Sequence, residues 1–220
     1  MTCLLCGNIL KEALSFSSLL LLKKAESLAC QGCFSLFERI GEDHCPSCFK
    51  NGVSNRCQDC QFWSKEGIEV EHRALFIYNQ AMKDFFSRYK FEGDFLLRKV
   101  FTKILLQELK RYKGYQFVLI PLSPKRLSDR GFNQVEGLIK ETGLPYLDIL
   151  DKREEKASSS KSRSDRLETE LPFFVKRGIE IPKKVLLIDD IYTTGTTLNR
   201  VKSLIEAAGC QKVKTFSIVR

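Results

Sequence analysis

No stretch of this chain is apolar for anything near the ~20 residues that a bilayer-spanning helix needs. Apolar runs such as Leu19 to Leu22 and Ala74 to Tyr78 are closed by polar or charged residues, which excludes them as membrane spans. The region after Met1 has no basic segment followed by a small-residue cleavage site. No secretory signal is therefore expected, and the cytoplasm is the expected compartment. That compartment keeps thiols reduced, which argues against disulfides for the nine cysteines. The first 64 positions are too short a stretch to supply a sizeable core of their own, so that region needs something besides a core to fold. Its charges also cancel, so the formal net charge of +9 belongs to residues 65–220. A domain that basic suits an anionic ligand, whether a pyrophosphate or a nucleic-acid backbone.

What the first region does have is cysteine. Eight of the nine fall in four Cys-x-x-Cys pairs: Cys3/Cys6, Cys30/Cys33, Cys45/Cys48 and Cys57/Cys60. Each spacing suits a knuckle with two thiolates on one side of a tight turn, and two knuckles complete a four-thiolate zinc site. Sequence order predicts one ribbon from the first two pairs and another from the last two. One zinc ion or two both fit. A lone Cys-x-x-Cys between strand and helix would suggest redox catalysis, but four pairs before residue 61 point to structural metal. His44 beside Cys45 is a substitute ligand only if a cysteine is spare, and Cys210 reads as a core residue. Two all-thiolate zinc sites would each add a charge of about −2. The metallated module would then be anionic and suited to docking on the basic domain.

In the second region the pattern changes to alternating strands and helices. Val185 to Ile188 reads as a strand buried on both faces of a parallel sheet. Two acids follow, Asp189 and Asp190, and then Thr193-Thr-Gly-Thr-Thr197. The apolar stripe of Leu198, Val201, Leu204, Ile205 and Ala208 is a helix ending at Gly209. A Gly/Thr loop at a helix start cradles an anion, because its backbone N–H groups are free. Carboxylates repel phosphate, so the two acids suit hydroxyls or Mg²⁺. A sugar phosphate satisfies both halves.

Elsewhere, Ala74 to Tyr78, Tyr115 to Ile120, Leu144 to Asp151 and Lys212 to Val219 read as strands. Gln80 to Lys90, Phe95 to Tyr112 and Asn133 to Glu141 read as helices, and Gln61 to Glu71 as a linker. Pro121 and Pro124 stop the second strand. Lys125, Arg126 and Arg130 crowd the loop that follows it, a second anion site. Residues 152–170 are polar without apolar periodicity, which predicts a mobile loop. Tyr89, Lys90 and Phe91 read as the packed end of a helix, with stacking on single-stranded nucleic acid as the alternative.

Val185 to Thr197 resembles the phosphoribosyl pyrophosphate (PRPP) signature of type I phosphoribosyltransferases. The resemblance implies that Asp189 and Asp190 hold the ribose hydroxyls and Mg²⁺. It assigns the 5′-phosphate to Thr193, Thr194, Gly195, Thr196 and Thr197. Pyrophosphate falls to the loop with Ser123, Lys125, Arg126 and Arg130. Three further features make the chain similar to the ComF family: Pro121-Leu-Ser-Pro-Lys-Arg126 with Arg130-Gly-Phe-Asn-Gln134, Tyr89-Lys-Phe-Glu-Gly-Asp94, and the cysteine-rich ribbon. The implied fold is α/β, a type I phosphoribosyltransferase-like parallel sheet flanked by helices (65–220) behind a small double zinc-ribbon module (1–64). Relatives tend to carry Gln, Leu and Asn around a Ser-Arg-x-acid-Arg core in the mobile loop. Here Ser162-Arg163-Ser-Asp165-Arg166 is kept, but Ser158, Lys161 and Thr169 stand at the other positions. That departure bears on catalytic closure rather than on PRPP binding.

The resemblance implies a competence protein for natural transformation that supports uptake of single-stranded DNA. Its implied partners are the helicase-like ATPase ComFA and other transformation proteins, with recruitment to the membrane-bound uptake machinery. Two other functions fit the same residues: an active phosphoribosyltransferase on an unidentified base or amine, and a non-catalytic DNA- and protein-binding scaffold. No base-recognition element or catalytic residue is readable, and fold alone does not confer activity.

Overall fold

A computed structural model describes residues 1–10, 28–154 and 172–220. In chain order its elements are α1 (Gln31–Phe34), α2 (Gln58–Lys65), β1 (His72–Phe76), α3 (Gln80–Phe91), a 3₁₀ turn (Phe95–Lys99), α4 (Thr102–Leu109), β2 (Gln116–Leu119), α5 (Pro124–Arg130), α6 (Gln134–Lys140), β3 (Leu150–Lys152), β4 (Phe173–Val175), β5 (Lys184–Ile191), α7 (Thr196–Ala207) and β6 (Lys212–Val219). The main sheet runs β1-β6-β5-β2 and every pair is parallel.

The sheet is covered on both faces, which is why its central strand is a continuous apolar run. Leu186 and Ile188 of β5 face one core with Phe85, Leu97, Leu105 and Leu138. Val185 and Leu187 face the other, with Val201 and Ile205 of α7. Alternation along a strand sends consecutive side chains to opposite faces, so one strand seeds both cores.

Each cysteine-rich unit combines one hairpin knuckle with one helical knuckle. Cys3 and Cys6 sit in a turn closed by the Thr2–Ile9 bridge, and Cys45 and Cys48 in one closed by His44–Asn51. The residue after each second cysteine takes a left-handed conformation, Gly7 at φ 76° and Phe49 at φ 62°. Glycine accepts that freely, whereas phenylalanine is strained there. Cys30 and Cys57 are the N-cap residues of α1 and α2. Neither unit is detached. Phe37 packs in the first core against Phe76 and Phe101, and Cys45, Cys48, Cys57, Cys60 and Trp63 are part of the second.

Four elements differ from the sequence reading. The strand expected to end at Ile188 runs on to Ile191, because β6 continues alongside as Asp189↔Ser217 and Ile191↔Val219. The helix expected over Phe95 to Tyr112 breaks into the 3₁₀ turn and α4, where the Thr102 hydroxyl donates to the Lys99 carbonyl at 3.0 Å. The cationic loop after β2 is a helix, α5. Ser123 caps it, Pro124 occupies its first turn, and Gly131 ends it at φ 78°. The strand expected over Leu144 to Asp151 touches the main sheet only at Leu147, which bridges Val118. Pro145 cannot donate to a ladder, and β3 then pairs with β4 in a separate antiparallel ribbon. Much of the expected linker is also ordered, since α2 runs to Lys65 and Trp63 and Val70 are buried. Cys210 is buried, as expected.

Candidate functional site

A cavity of about 790 Å³ opens at the carboxyl end of β2 and β5, where open α/β sheets present ligands. Its lining includes Asp189, Asp190 and Thr197, Arg126 and Arg130 of α5, Phe173 of β4 and Lys152 of β3.

The two acids differ electrostatically although they are adjacent. Asp189 Oδ1 accepts from the Asp190 N–H at 2.9 Å, and Asp190 Oδ1 accepts from the Ile191 N–H at 3.0 Å. Burial of its carboxyl, followed by the Asp190 charge, pushes Asp189 well above the usual carboxylate range. Burial also works against ionising Asp190, but the Lys90 ion pair, the hydrogen bond with Asp189 and the Ile191 N–H together outweigh it and hold that carboxyl below the ordinary value. Lys90 lies over the Phe86 ring, 4.4 Å from its centroid, with 12% of its side chain exposed. A divalent cation or a pair of sugar hydroxyls would relieve the strained negative charge of the pair.

The threonine loop borders a niche of about 40 Å³ shared with Asp189. Thr193, Thr194, Thr196 and Thr197 are exposed, and Gly195 is buried. The Thr194 and Thr196 hydroxyls lie 2.8 Å apart. Gly195 has φ 82°, and a Cβ there would fall 2.1 Å from Tyr192 Oη and 2.7 Å from Asn199 Nδ2. Gly195→Ala should therefore lower the melting temperature by about 5 °C, read by circular dichroism, since left-handed strain costs about 1–3 kcal/mol in a chain of this size.

The expected site residues separate into those that share the cavity and those that do not. Asp189, Asp190, Thr197, Arg126 and Arg130 share it; Thr193 to Thr196 line the adjoining niche. Ser123 is buried, and its hydroxyl accepts from the Arg126 N–H as the cap of α5. Lys125 is exposed outside both linings, and its backbone N–H donates to Glu154 Oε1. Arg130 lies over the exposed Phe91 ring at 5.4 Å and donates to Gln134 Oε1. The expected loop over 152–170, with Ser158, Lys161, Ser162, Arg163, Asp165, Arg166 and Thr169, lies outside the described residues beyond Glu154.

Lys90 is the residue that sequence reasoning missed. Helical periodicity placed it at a packed helix end, and Tyr89 is indeed buried. The available signal was its place in Tyr89-Lys-Phe-Glu-Gly-Asp94, which spacing alone does not link to Asp190.

Both four-cysteine groups have the right chemistry for a metal ion. In each, the four Sγ atoms lie within 4.8 Å of one another. Cys45–Cys60 is 3.8 Å, Cys48–Cys57 3.5 Å and Cys6–Cys30 3.9 Å. Tetrahedral Zn–S bonds of about 2.3 Å imply sulfurs about 3.8 Å apart, whereas a disulfide needs about 2 Å. Backbone N–H groups of Cys30 and Cys57 donate to Cys3 Sγ (3.2 Å) and Cys45 Sγ (3.3 Å). A hydrogen bond from Cys60, together with the Arg220 guanidinium, holds Cys48 down at about 5 against the effect of burial, whereas Cys60 is pushed up by its hydrogen bond with Cys48 and by burial, and Cys57 by burial. A divalent ion among the four sulfurs would favour all four thiolates.

Comparison with known proteins agrees with this geometry. The phosphoribosyl transferase domain family matches residues 103–220. The chain is 67% identical to competence protein ComFC of Streptococcus pneumoniae over the whole of both chains. It belongs to the ComF family. A ComF relative in Bacillus subtilis, also competence protein ComFC, is 32% identical over 99% of this chain and 94% of its own. Among solved structures, the B. subtilis glutamine PRPP amidotransferase complexed with ADP and GMP is 25% identical at a TM-score of 0.37, covering 54% of this chain and 25% of that one. This ComF chain thus joins a phosphoribosyltransferase-type parallel sheet to two four-cysteine groups. Among the described residues no helix is long and apolar enough to cross a membrane.

Proposed function

We propose that this chain serves natural transformation by handling single-stranded DNA, and that its phosphoribosyltransferase-like domain binds PRPP with Mg²⁺. The observation that carries the ligand half is that Asp189, Asp190, Arg126 and Arg130 line one cavity, with the threonine loop adjoining. In this reading the acids hold ribose hydroxyls, Thr193 to Thr197 hold the 5′-phosphate, and Arg126 and Arg130 receive the pyrophosphate. Ser123 and Lys125 serve by shaping and charging α5. Mg²⁺, held beside Asp189 and Asp190, would neutralise pyrophosphate charge. Lys90 is the counter-ion that keeps Asp190 ionised before a ligand arrives.

The transformation half follows from kinship with the competence proteins. In this reading the chain's partners are single-stranded DNA and ComFA, and it is recruited from the cytoplasm to the uptake machinery. The basic balance of residues 65–220 suits the DNA. In the same reading residues 1–64 form a zinc-ribbon module and each four-cysteine group holds one zinc ion.

Calorimetric titration of the zinc-loaded chain with PRPP, with and without Mg²⁺, tests the ligand. Binding that requires Mg²⁺ and disappears in Asp189→Ala/Asp190→Ala is the expected result. Equal heats from wild type and variant, or none from either, would refute it.

A further inference from the structure

We infer that the second four-cysteine group is the back wall of the threonine loop, with Arg220 and Trp63 as positioning residues that join the two. This rests on the reading of the threonine loop as the phosphate site.

Arg220 is the first joint. Its side chain is 6% exposed. Nη2 donates to Cys48 Sγ at 3.1 Å and to Asp59 Oδ2 at 3.0 Å, while Nη1 donates to the Thr193 carbonyl. One rigid guanidinium therefore holds a metal-ligating sulfur and the start of the loop together. Trp63 is the second. It follows Cys60 on α2, and its Nε1 donates to the Thr194 carbonyl at 2.8 Å. Two consecutive loop carbonyls are thus held from the cysteine side.

In a trans peptide the C=O and N–H point in opposite directions. Holding the Thr193 and Thr194 carbonyls against the cysteine group therefore turns the N–H groups of Thr194 and Gly195 away from it. Those are the donors a phosphate needs. Tyr192 completes the wedge. Its ring lies between Arg220, 4.7 Å from the centroid, and His72, 4.0 Å centroid to centroid, and its hydroxyl accepts from Asn199 Nδ2 at 3.2 Å. Gly195 fits only because it has no Cβ to strike that hydroxyl. Without Arg220 or the Trp63 indole N–H, the loop loses the contacts that preset its amides. Coupling of this kind is reciprocal, so a phosphate ligand in the loop also tightens metal binding at the cysteine group.

Trp63 is the only tryptophan of the chain, so its indole N–H gives a single nuclear magnetic resonance cross-peak that reports on this junction. The test compares zinc-loaded wild type with Arg220→Gln, Trp63→Phe and, as a control just before the N-cap of α2, Arg56→Gln. Among the described residues the Arg56 guanidinium donates to Ser64 and Glu69, and its carbonyl accepts from Gln61. Measured quantities are zinc content, indole N–H exchange with solvent, zinc transfer to a chromogenic chelator, and the Kd for PRPP–Mg²⁺. The expected result is full zinc content in all four proteins, with Kd raised about tenfold in Arg220→Gln and Trp63→Phe and unchanged in Arg56→Gln. Indole exchange is faster in Arg220→Gln, and PRPP–Mg²⁺ lowers the fraction of zinc transferred to the chelator at equilibrium in wild type but not in that variant. If Arg220→Gln loses zinc, Arg220→Lys replaces it, since one ammonium cannot span both partners as the fork does. Wild-type indole exchange together with wild-type Kd in the Arg220 variant overturns the inference. Should wild type itself fail to bind PRPP, the ligand reading falls, and indole exchange alone decides the joint: unchanged overturns it, faster upholds it.

Discussion

Asp190→Asn is expected to melt about 9 °C below wild type at neutral pH, while the neighbouring Asp189→Asn melts above it. The two carboxylates are one residue apart and would be equivalent on a solvated turn. Here Asp190 is buried and ion-paired with Lys90, itself nearly enclosed over Phe86. Removing one partner of a buried pair costs about 3 kcal/mol, because the other charge remains without compensation. In a chain of this size each kcal/mol corresponds to about 2–4 °C. Asp189 has the opposite sign. Burial and the Asp190 charge raise its folded pKa above the unfolded value. Its contribution to stability is therefore fully present below about pH 4 and is lost as pH rises through the folded pKa. Asp189→Asn removes that penalty, a gain at neutral pH that vanishes as the pH approaches 4. Both variants should lose PRPP–Mg²⁺ binding, so stability and function part company at Asp189 alone, as strained ligand sites do. Melting curves of the two variants from pH 4 to 8 decide the matter; shifts of the same sign would remove the case for an asymmetric pair.

The features most legible in the sequence were those that local chemistry dictates. Four Cys-x-x-Cys pairs fixed how the ribbons are grouped, and an apolar run followed by acids and a threonine loop fixed β5, its loop and α7. Features set by distant partners were not legible. Lys90 and Asp190 are brought together by packing of α3 on the sheet, and no spacing rule connects them. α5 looked like a loop because five of its seven residues are polar, Pro124 opens it and Pro121 stands just before it, although Ser123 and Gly131 are good capping residues in the sequence. The strand expected from Leu144 failed because Pro145 denies the sheet a donor and β4 offers β3 a separate partner. The linker expected after the ribbons is largely ordered because Trp63, Val70 and the second cysteine group share a core with the sheet. Compositional change marked a boundary there that packing does not respect.

That shared core sets the effect of losing metal. Cys57→Ser/Cys60→Ser is expected to leave no cooperative melting transition at 37 °C or above. Cys3→Ser/Cys6→Ser should still melt cooperatively, about 10 °C below wild type. Zinc bound by four thiolates contributes about 10 kcal/mol or more to folding, comparable with the whole stability of an ordinary domain, about 5–15 kcal/mol. At the second group, Cys45, Cys48, Cys57 and Cys60 are all buried in the apolar cluster that holds Val185, Leu187, Val201 and Val213. Loss of the ion therefore leaves polar sulfurs and a collapsed knuckle against the central strand. The first group lies outside that cluster, and its Cys6 is exposed. Its loss reaches the sheet through Phe34 and Phe37, whose rings pack on Phe76 and Phe101. Detaching one such aromatic costs about 3–5 kcal/mol, which the remaining domain withstands. Zinc content and circular dichroism melts of the two double variants, prepared side by side, separate the cases: the first-group variant keeps one ion and its transition. A second-group variant that melts within a few degrees of wild type would mean that the sheet folds without its metal, and that the cysteine group is attached to the core rather than part of it.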